Sequence, residues 1–133
     1  MTPTTEAMKV LITGSRSWDD YELIHDELKK LPANSTIVHG NCKGADIIAG
    51  EIAKEMGFIV REYPADWVKY GKAAGPIRNR HMATSEHLPE SPIDLCLVFH
   101  DCIETSTGTK DMVSIIDRLR IPKRLLTRNN RHT

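Results

Sequence analysis

A chain of 133 residues has room for about one domain, at the usual ~100–200 residues each. With 40% hydrophobic and 27% charged residues it is neither a disordered tail nor a collagen-like or disulfide-stapled chain. Eighteen Lys and Arg balance eighteen Asp and Glu, so overall charge does not draw it to nucleic acid or membrane, and any basic function has to be local.

The longest apolar runs, such as Val10-Leu11-Ile12 and residues 95–99, fall far short of the about 20 residues that a membrane-spanning helix needs. No membrane partner is expected. Residues 1–8 carry Pro, Thr and Glu but no cationic stretch followed by an apolar one, so the reading is a cytoplasmic protein. Cys42, Cys96 and Cys102, odd in number and widely spaced, are then expected as thiols.

Residues 9–13 form a short β-branched apolar run ended by Gly14, which predicts a buried strand. Ser17, Asp19 and Asp20 supply caps for a helix with Tyr21, Ile24, Leu28 and Leu31 on one stripe, stopped by Pro32. A second strand at 36–39 leads through a glycine-containing loop, 40–44, into a helix carrying Ala45, Ile48, Ala49, Ile52, Ala53 and Met56 and ended by Gly57. Phe58, Ile59 and Val60 with Tyr63 make a third strand. Residues 64–75 read as a long polar loop, the kind that usually carries function. Pro76 suits the first turn of a short helix to about Ser85, and 94–99 is the most hydrophobic strand. A Thr/Ser/Gly loop at 105–108 opens a helix with Met112, Ile115, Ile116 and Leu119 on one stripe, and 123–126 fits an edge strand.

Apolar strands alternating with amphipathic helices predict an α/β fold: a Rossmann-like, three-layer domain over residues 9–126 with a mostly parallel sheet of about five strands. Residues 1–8 read as a flexible extension and 127–133 as a polar, frayed tail. In such sheets ligands sit beyond the carboxyl ends of the strands, which directs attention to 14–18, 39–46, 64–80 and 100–111.

Each of these loops holds groups suited to phosphate. Gly14, Ser15 and Arg16 follow the first strand, where glycine lets the backbone approach and the hydroxyl and guanidinium can hold an anion. Gly40 and Gly44 precede a helix whose first residues are Ala45 and Asp46, an anion seat in which Asp46 also suits the positive helix end. Lys43 lacks the following Ser or Thr of a Walker loop. Lys69, Lys72, Arg78 and Arg80 interleave with Trp67 and Tyr70, a composition suited to a phosphate and a stacked base, or to a solvated loop whose Trp covers the sheet end. Ser106, Thr107, Gly108 and Thr109 open the last helix with hydroxyls and N–H groups. Paired Cys-x-x-Cys, His-Glu-x-x-His and Gly-x-Ser-x-Gly motifs are missing, so neither a metal nor a cofactor is expected.

The ordered set of Ile12-Thr13-Gly14-Ser15-Arg16, His39-Gly40, Gly44-Ala45-Asp46, Pro64-Ala65-Asp66-Trp67, the run 71–79 and Gly108-Thr109 resembles the YspA-type, cpYpsA-related branch of the SLOG superfamily over 9–126. The resemblance implies a Rossmann-like fold, a nucleotide or nucleotide-derived ligand, an origin among bacteria or their phages, and a homo-oligomer. Related lonely-guy phosphoribohydrolases cleave N-glycosidic bonds with an Arg and a Glu. Their Arg-Lys-x-x-Met motif is similar to residues 78–82, with Arg78 at the Arg and Asn79 beside it. Their Pro-Gly-Gly-x-Gly-Thr-x-x-Glu falls on 104–112, with Gly108 and Thr109 in agreement but Met112 where the Glu stands. A methionine takes no proton. Two readings follow: a sensor or sequestering module that binds a nucleotide-derived small molecule through Gly14, Ser15, Arg16, Gly40, Gly44, Ala45, Asp46, Trp67, Lys72, Arg78, Asn79, Ser106, Thr107, Gly108 and Thr109; or a nucleotide N-glycosidase with Arg78 as cation and Asp111 or Asp46 in place of the Glu. Nucleic acid is the least expected partner, although 120–131 hold five cationic residues and no acid.

Overall fold

The computed structural model describes residues 6–128. Five strands, β1 (Lys9–Gly14), β2 (Thr36–His39), β3 (Ile59–Glu62), β4 (Leu95–Phe99) and β5 (Lys123–Leu126), pair in parallel throughout in the order β3-β2-β1-β4-β5. Helices α1 (Tyr21–Leu28), α2 (Ala45–Glu55), α3 (Trp67–Tyr70), α4 (Ala74–Glu86) and α5 (Thr107–Arg118) fill the crossovers. The expected parallel α/β sandwich is therefore observed. Central strands β1 and β4 are buried on both faces, which is why they read as unbroken apolar runs.

Side chains alternate across the sheet and feed two cores. Val10, Ile12, Ile37, Leu97 and Phe99 meet Ile24 and Leu28 of α1 and Ala49, Ile52 and Ala53 of α2. Leu11, Val38, Cys96 and Val98 on the opposite face meet Met82 and Ala83 of α4 and Met112, Ile115 and Ile116 of α5. Cys96 is thus a core thiol, and burial pushes its pKa up to about 12. Leu119, expected on the buried stripe of the last helix, is instead partly exposed just beyond the end of α5.

Sequence and structure differ at the edges of elements. Residues 64–75 are not a loop: Asp66 accepts a hydrogen bond from Lys69 N at 3.0 Å and caps α3, a 3-10 turn spans Gly71–Ala73, and α4 begins at Ala74. The first helix ends at Leu28, before Pro32. Met8, expected in the leading extension, packs on the first core and donates its N–H to Ser35 Oγ at 3.0 Å. At the other end Arg128 bridges Asp19 at 2.8 Å and Asp101 at 2.5 Å, and its guanidinium lies 5.0 Å from the Trp18 ring centroid. Lys123 pairs with Asp117 and Arg124 with Glu27, so three cations of the basic stretch are neutralised by neighbouring acids. Arg131, the rest of the polar tail from 129 and residues 1–5 lie outside the described residues.

Candidate functional site

The crossovers from β1 to β2 and from β4 to β5 leave the sheet in opposite directions, so the loops beyond β1 and β4 part and leave a crevice at their carboxyl ends. A cleft of about 550 Å³ occupies that place. Its walls are 12–17 from β1 and its loop, Cys42 and Asp46 at the start of α2, Trp67 and Lys72, the face of α4 from Gly75 to Met82, His100, and the 105–109 segment that opens α5.

Close backbone packing shapes the floor. A Cβ on Gly14 would meet Phe99 O at 2.4 Å and Ala45 Cβ at 2.8 Å, and its absence lets Ser15 N donate to Phe99 O at 2.9 Å. Gly44 has φ +89° and stands where a Cβ would lie 2.3 Å from Ser15 O, the same oxygen that accepts Ala45 N at 3.1 Å. These contacts lock the β1 loop to the α2 N-terminus. Gly44 and Ala45 therefore stand behind the cleft wall and shape it without lining it.

Arg78 is buried, and protein acceptors surround its guanidinium. Nε donates to Asn79 Oδ1 at 2.8 Å, Nη1 to the carbonyls of Gly40 and Tyr63, and Nη2 to Cys42 Sγ at 3.4 Å. Four of its five N–H donors thus have partners among the described residues. Gly40 lies under this fork, since a Cβ there would sit 2.5 Å from Nη1, and it too is outside the lining. Asn79 continues the chain of bonds: Nδ2 donates to Asp111 Oδ2 at 2.9 Å, with Gly108 O at 3.5 Å. Asp111 is turned to Asn79 and away from the cleft, and Met112 is core, 1% exposed. The expected Arg78 and Asp111 pair is bridged by Asn79 and does not face one reacting atom.

Asp46 is the acidic side chain of the cleft among the described residues. It is 6% exposed, and Oδ2 accepts the N–H of Gly40 at 2.9 Å and of Cys42 at 3.4 Å. Burial pushes its carboxyl up from 3.8 to about 6, against the opposing pull of those N–H groups and Arg78. His100 accepts the Cys102 N–H on Nδ1 at 2.9 Å, which puts its proton on Nε2, and burial lowers its pKa.

The rim is cationic and aromatic. Arg16 lies 5.7 Å from the centroid of the Trp67 ring, which is 49% exposed. Ser106 caps α5 by accepting Thr109 N at 3.2 Å, and the residues that open this 12-residue helix, 106–109, line the cleft. Gly14, Ser15, Arg16, Asp46, Trp67, Lys72, Arg78, Asn79, Ser106, Thr107, Gly108 and Thr109 thus share one cleft. Tyr70 does not join it: it lines a separate pocket of about 430 Å³ with Glu62, Tyr63 and His81. Ile12, Thr13, Ser17, Cys42, Gly75, Pro76, Met82, His100 and Thr105 also line it, none of them named as a binding residue from the sequence, although all but Ile12, Thr13 and Met82 lie in the loops to which the sequence directed attention. His100 opens the 100–111 loop directly after the buried strand β4, whereas Met82 reads as ordinary core in any sequence. The described residues contain no group of three or more His, Cys, Asp and Glu placed to hold a metal ion.

A parallel sheet with a glycine-lined crevice at its switch point defines a Rossmann-like protein, and the solved structures contain a similar one. DNA processing protein A (DprA) from Streptococcus pneumoniae aligns over 89% of this chain and 58% of its own, with a TM-score of 0.55 and 16% identity. At that identity the likeness shows the fold alone, and this chain spans under two thirds of the DprA chain. The chain itself belongs to the YspA, cpYpsA-related SLOG family, whose model matches residues 8–70. Gene 61 protein of Mycobacterium phage D29 is 36% identical over 123 residues, covering 86% of this chain and 92% of that relative. The expected family and the expected relation to phage proteins both hold. Among the described residues no helix is long and apolar enough to cross a membrane.

Proposed function

We propose that the switch-point cleft binds a nucleotide or nucleotide-derived signalling molecule without turning it over, as a sensor or sequestering protein. The observation that carries this reading is the convergence on one cleft of Arg16, Lys72, the open N-terminus of α5 and the half-exposed Trp67 ring. Anion and base are then held by different walls: phosphate at 106–109 and Arg16, the base on Trp67. Arg78, with four N–H donors engaged, positions the loops around the ligand and offers it one hydrogen bond.

The experiment mixes purified protein with AMP, ADP-ribose, NAD and cyclic ADP-ribose isomers, removes the protein by filtration and chromatographs the filtrate before and after heat release. Depletion followed by intact recovery supports a binder, and Arg16→Ala is expected to weaken retention about 10-fold, the equivalent of ~1.4 kcal/mol. No depletion of any compound refutes the reading. The N-glycosidase reading keeps one observation in its favour, the Asp46 carboxyl held near neutral pKa inside the cleft. Free base with ribose phosphate in the filtrate, abolished in Asp46→Asn, would establish it. Pairing of the chain into a homo-oligomer belongs to the same proposal, and sedimentation showing a monomer at high concentration removes it. A DNA-binding reading draws only on the name of the DprA protein and on a basic stretch whose Lys123, Arg124 and Arg128 are already paired. Steep salt dependence of single-strand binding would be its signature.

A further inference from the structure

Buried carboxylates are retained in folded proteins when ion pairs or hydrogen bonds offset the loss of water. Glu27 and Glu86 follow this rule. Glu27 is held by Lys30 and Arg124, and Glu86 by Lys9, Arg61 and the Tyr63 hydroxyl. Asp46 departs from it. Among the described residues no cation comes within ion-pair distance of its carboxylate, and both N–H groups that reach it go to Oδ2, the one from Cys42 at a long 3.4 Å. Oδ1 takes no hydrogen bond from the described protein, yet it is not sealed off, because Asp46 lines the cleft and, among the described residues, His39 Nε2 is the one fully enclosed polar side-chain atom left without a partner.

The charge pattern of the cleft says what such an oxygen meets. Arg16, Lys72, Arg78 and the α5 N-terminus make the walls attractive to an anion, while a carboxylate at the α2 end repels one. A ligand that satisfies both presents its phosphate to the α5 side and a hydrogen-bond donor to Asp46. A buried anionic acceptor rewards a hydroxyl strongly and leaves the unpaired oxygen as a penalty when the hydroxyl is missing.

Resting on the nucleotide-binding reading above, we infer that Asp46 Oδ1 accepts a ribose hydroxyl of the bound ligand and is the residue by which this cleft distinguishes a ribonucleotide from its deoxy counterpart. Asp46 then has two tasks: Oδ2 holds the 40–42 turn in place, and Oδ1 reads the sugar.

Calorimetric titration with AMP, 2′-deoxy-AMP and 3′-deoxy-AMP tests this. The unaltered protein is expected to prefer AMP over at least one deoxy analogue by about 10-fold or more, the range of a hydrogen bond to a charged group. Asp46→Asn can still accept the Gly40 and Cys42 N–H bonds through its amide oxygen while presenting a donor to the cleft. Its AMP-to-deoxy ratio is expected to fall to within about twofold while the circular dichroism spectrum is kept. Should that variant not fold, Asp46→Glu retains the charge and displaces the carboxylate by one methylene, and its ratio is expected to drop as well. Equal affinity of the unaltered protein for AMP and both deoxy analogues overturns the role of Asp46 and leaves the binding reading standing, as does a ratio unchanged in the variant. If none of the three binds and none of ADP-ribose, NAD and the cyclic isomers is retained either, the nucleotide reading falls and this inference with it.

Discussion

Replacing Asp46 by Asn removes one titration from the folded state, and the structure gives the sign and size of its effect on stability. Burial moves the carboxyl from 3.8 to about 6, so the native state binds a proton more tightly than the unfolded chain. The stabilisation from that proton is fully present below pH 3.8 and is lost as pH rises through about 6. At 1.36 kcal/mol per pH unit the whole swing is about 3 kcal/mol. His39 works in the opposite sense: enclosed at 1% exposure, its imidazole is pushed by burial from 6.5 down to about 4. Its contribution is present above pH 6.5 and lost as pH falls through about 4, again about 3 kcal/mol. Between pH 6 and about 4.5 the two slopes cancel in the unaltered protein. In Asp46→Asn the opposing Asp46 slope is gone while His39 and the other groups of lowered pKa keep theirs, so relative to the unaltered protein the variant loses about 1.4 kcal/mol for each pH unit below about 6. Urea denaturation at pH 7, 6, 5 and 4.5, with both proteins at equal slope against denaturant, measures the difference. Parallel curves for the two proteins across that range would mean that Asp46 titrates near its ordinary value, as a solvated carboxylate does, and the account of a buried, unpaired carboxylate would be wrong.

Gly50→Ala places a Cβ 2.5 Å from Nε2 of His39, itself enclosed at 1% exposure, so the imidazole has to shift. We expect a net loss of about 1–2 kcal/mol despite the better helix former, largely recovered in a His39→Ser background; a raised melting temperature would contradict it. Gly44→Ala and Gly57→Ala both force a side chain into positive φ, at +89° and +85°, but only Gly44 faces an atom at 2.3 Å while Gly57 has open space. Gly57→Ala is expected to cost about 1–2 kcal/mol and Gly44→Ala clearly more, so equal costs measured by chemical denaturation would refute the close approach to Ser15. Glu86→Gln leaves Lys9 and Arg61 without their acid and is expected to cost about 3 kcal/mol. The same change lowers the Tyr63 pKa, pushed up to about 12 by burial and then by Glu86, and an unchanged tyrosinate absorbance titration would break that assignment.

Much of this architecture is written locally. Residues 9–14 and 95–99 are apolar without alternation, which only a strand covered on both faces tolerates, and their spacing by helical stretches leaves the parallel sheet as the economical answer. Loops beyond parallel strands gather at one sheet edge, so the chain alone located Gly14 to Arg16, Asp46, Trp67, Arg78 and the 106–109 turn near one another. Short helices are harder to see: α3 has four residues and no buried side chain, hence no periodicity, and exists because Asp66 caps it. Sequence determines which residues reach the carboxyl edge, because hydrophobic period and turn chemistry act over a few residues. Direction is decided by tertiary packing. Arg78 reads as a free phosphate clamp until carbonyls of Gly40 and Tyr63, 38 and 15 residues away, take up its donors. Asp111 reads as a catalytic acid until Asn79, 32 residues away, draws it from the cleft. Asp46 reads as a helix-end charge until the fold buries it and leaves one oxygen unbonded at the cleft. Desolvation and long-range hydrogen bonds depend on what the rest of the chain places around a group, and no local pattern encodes them.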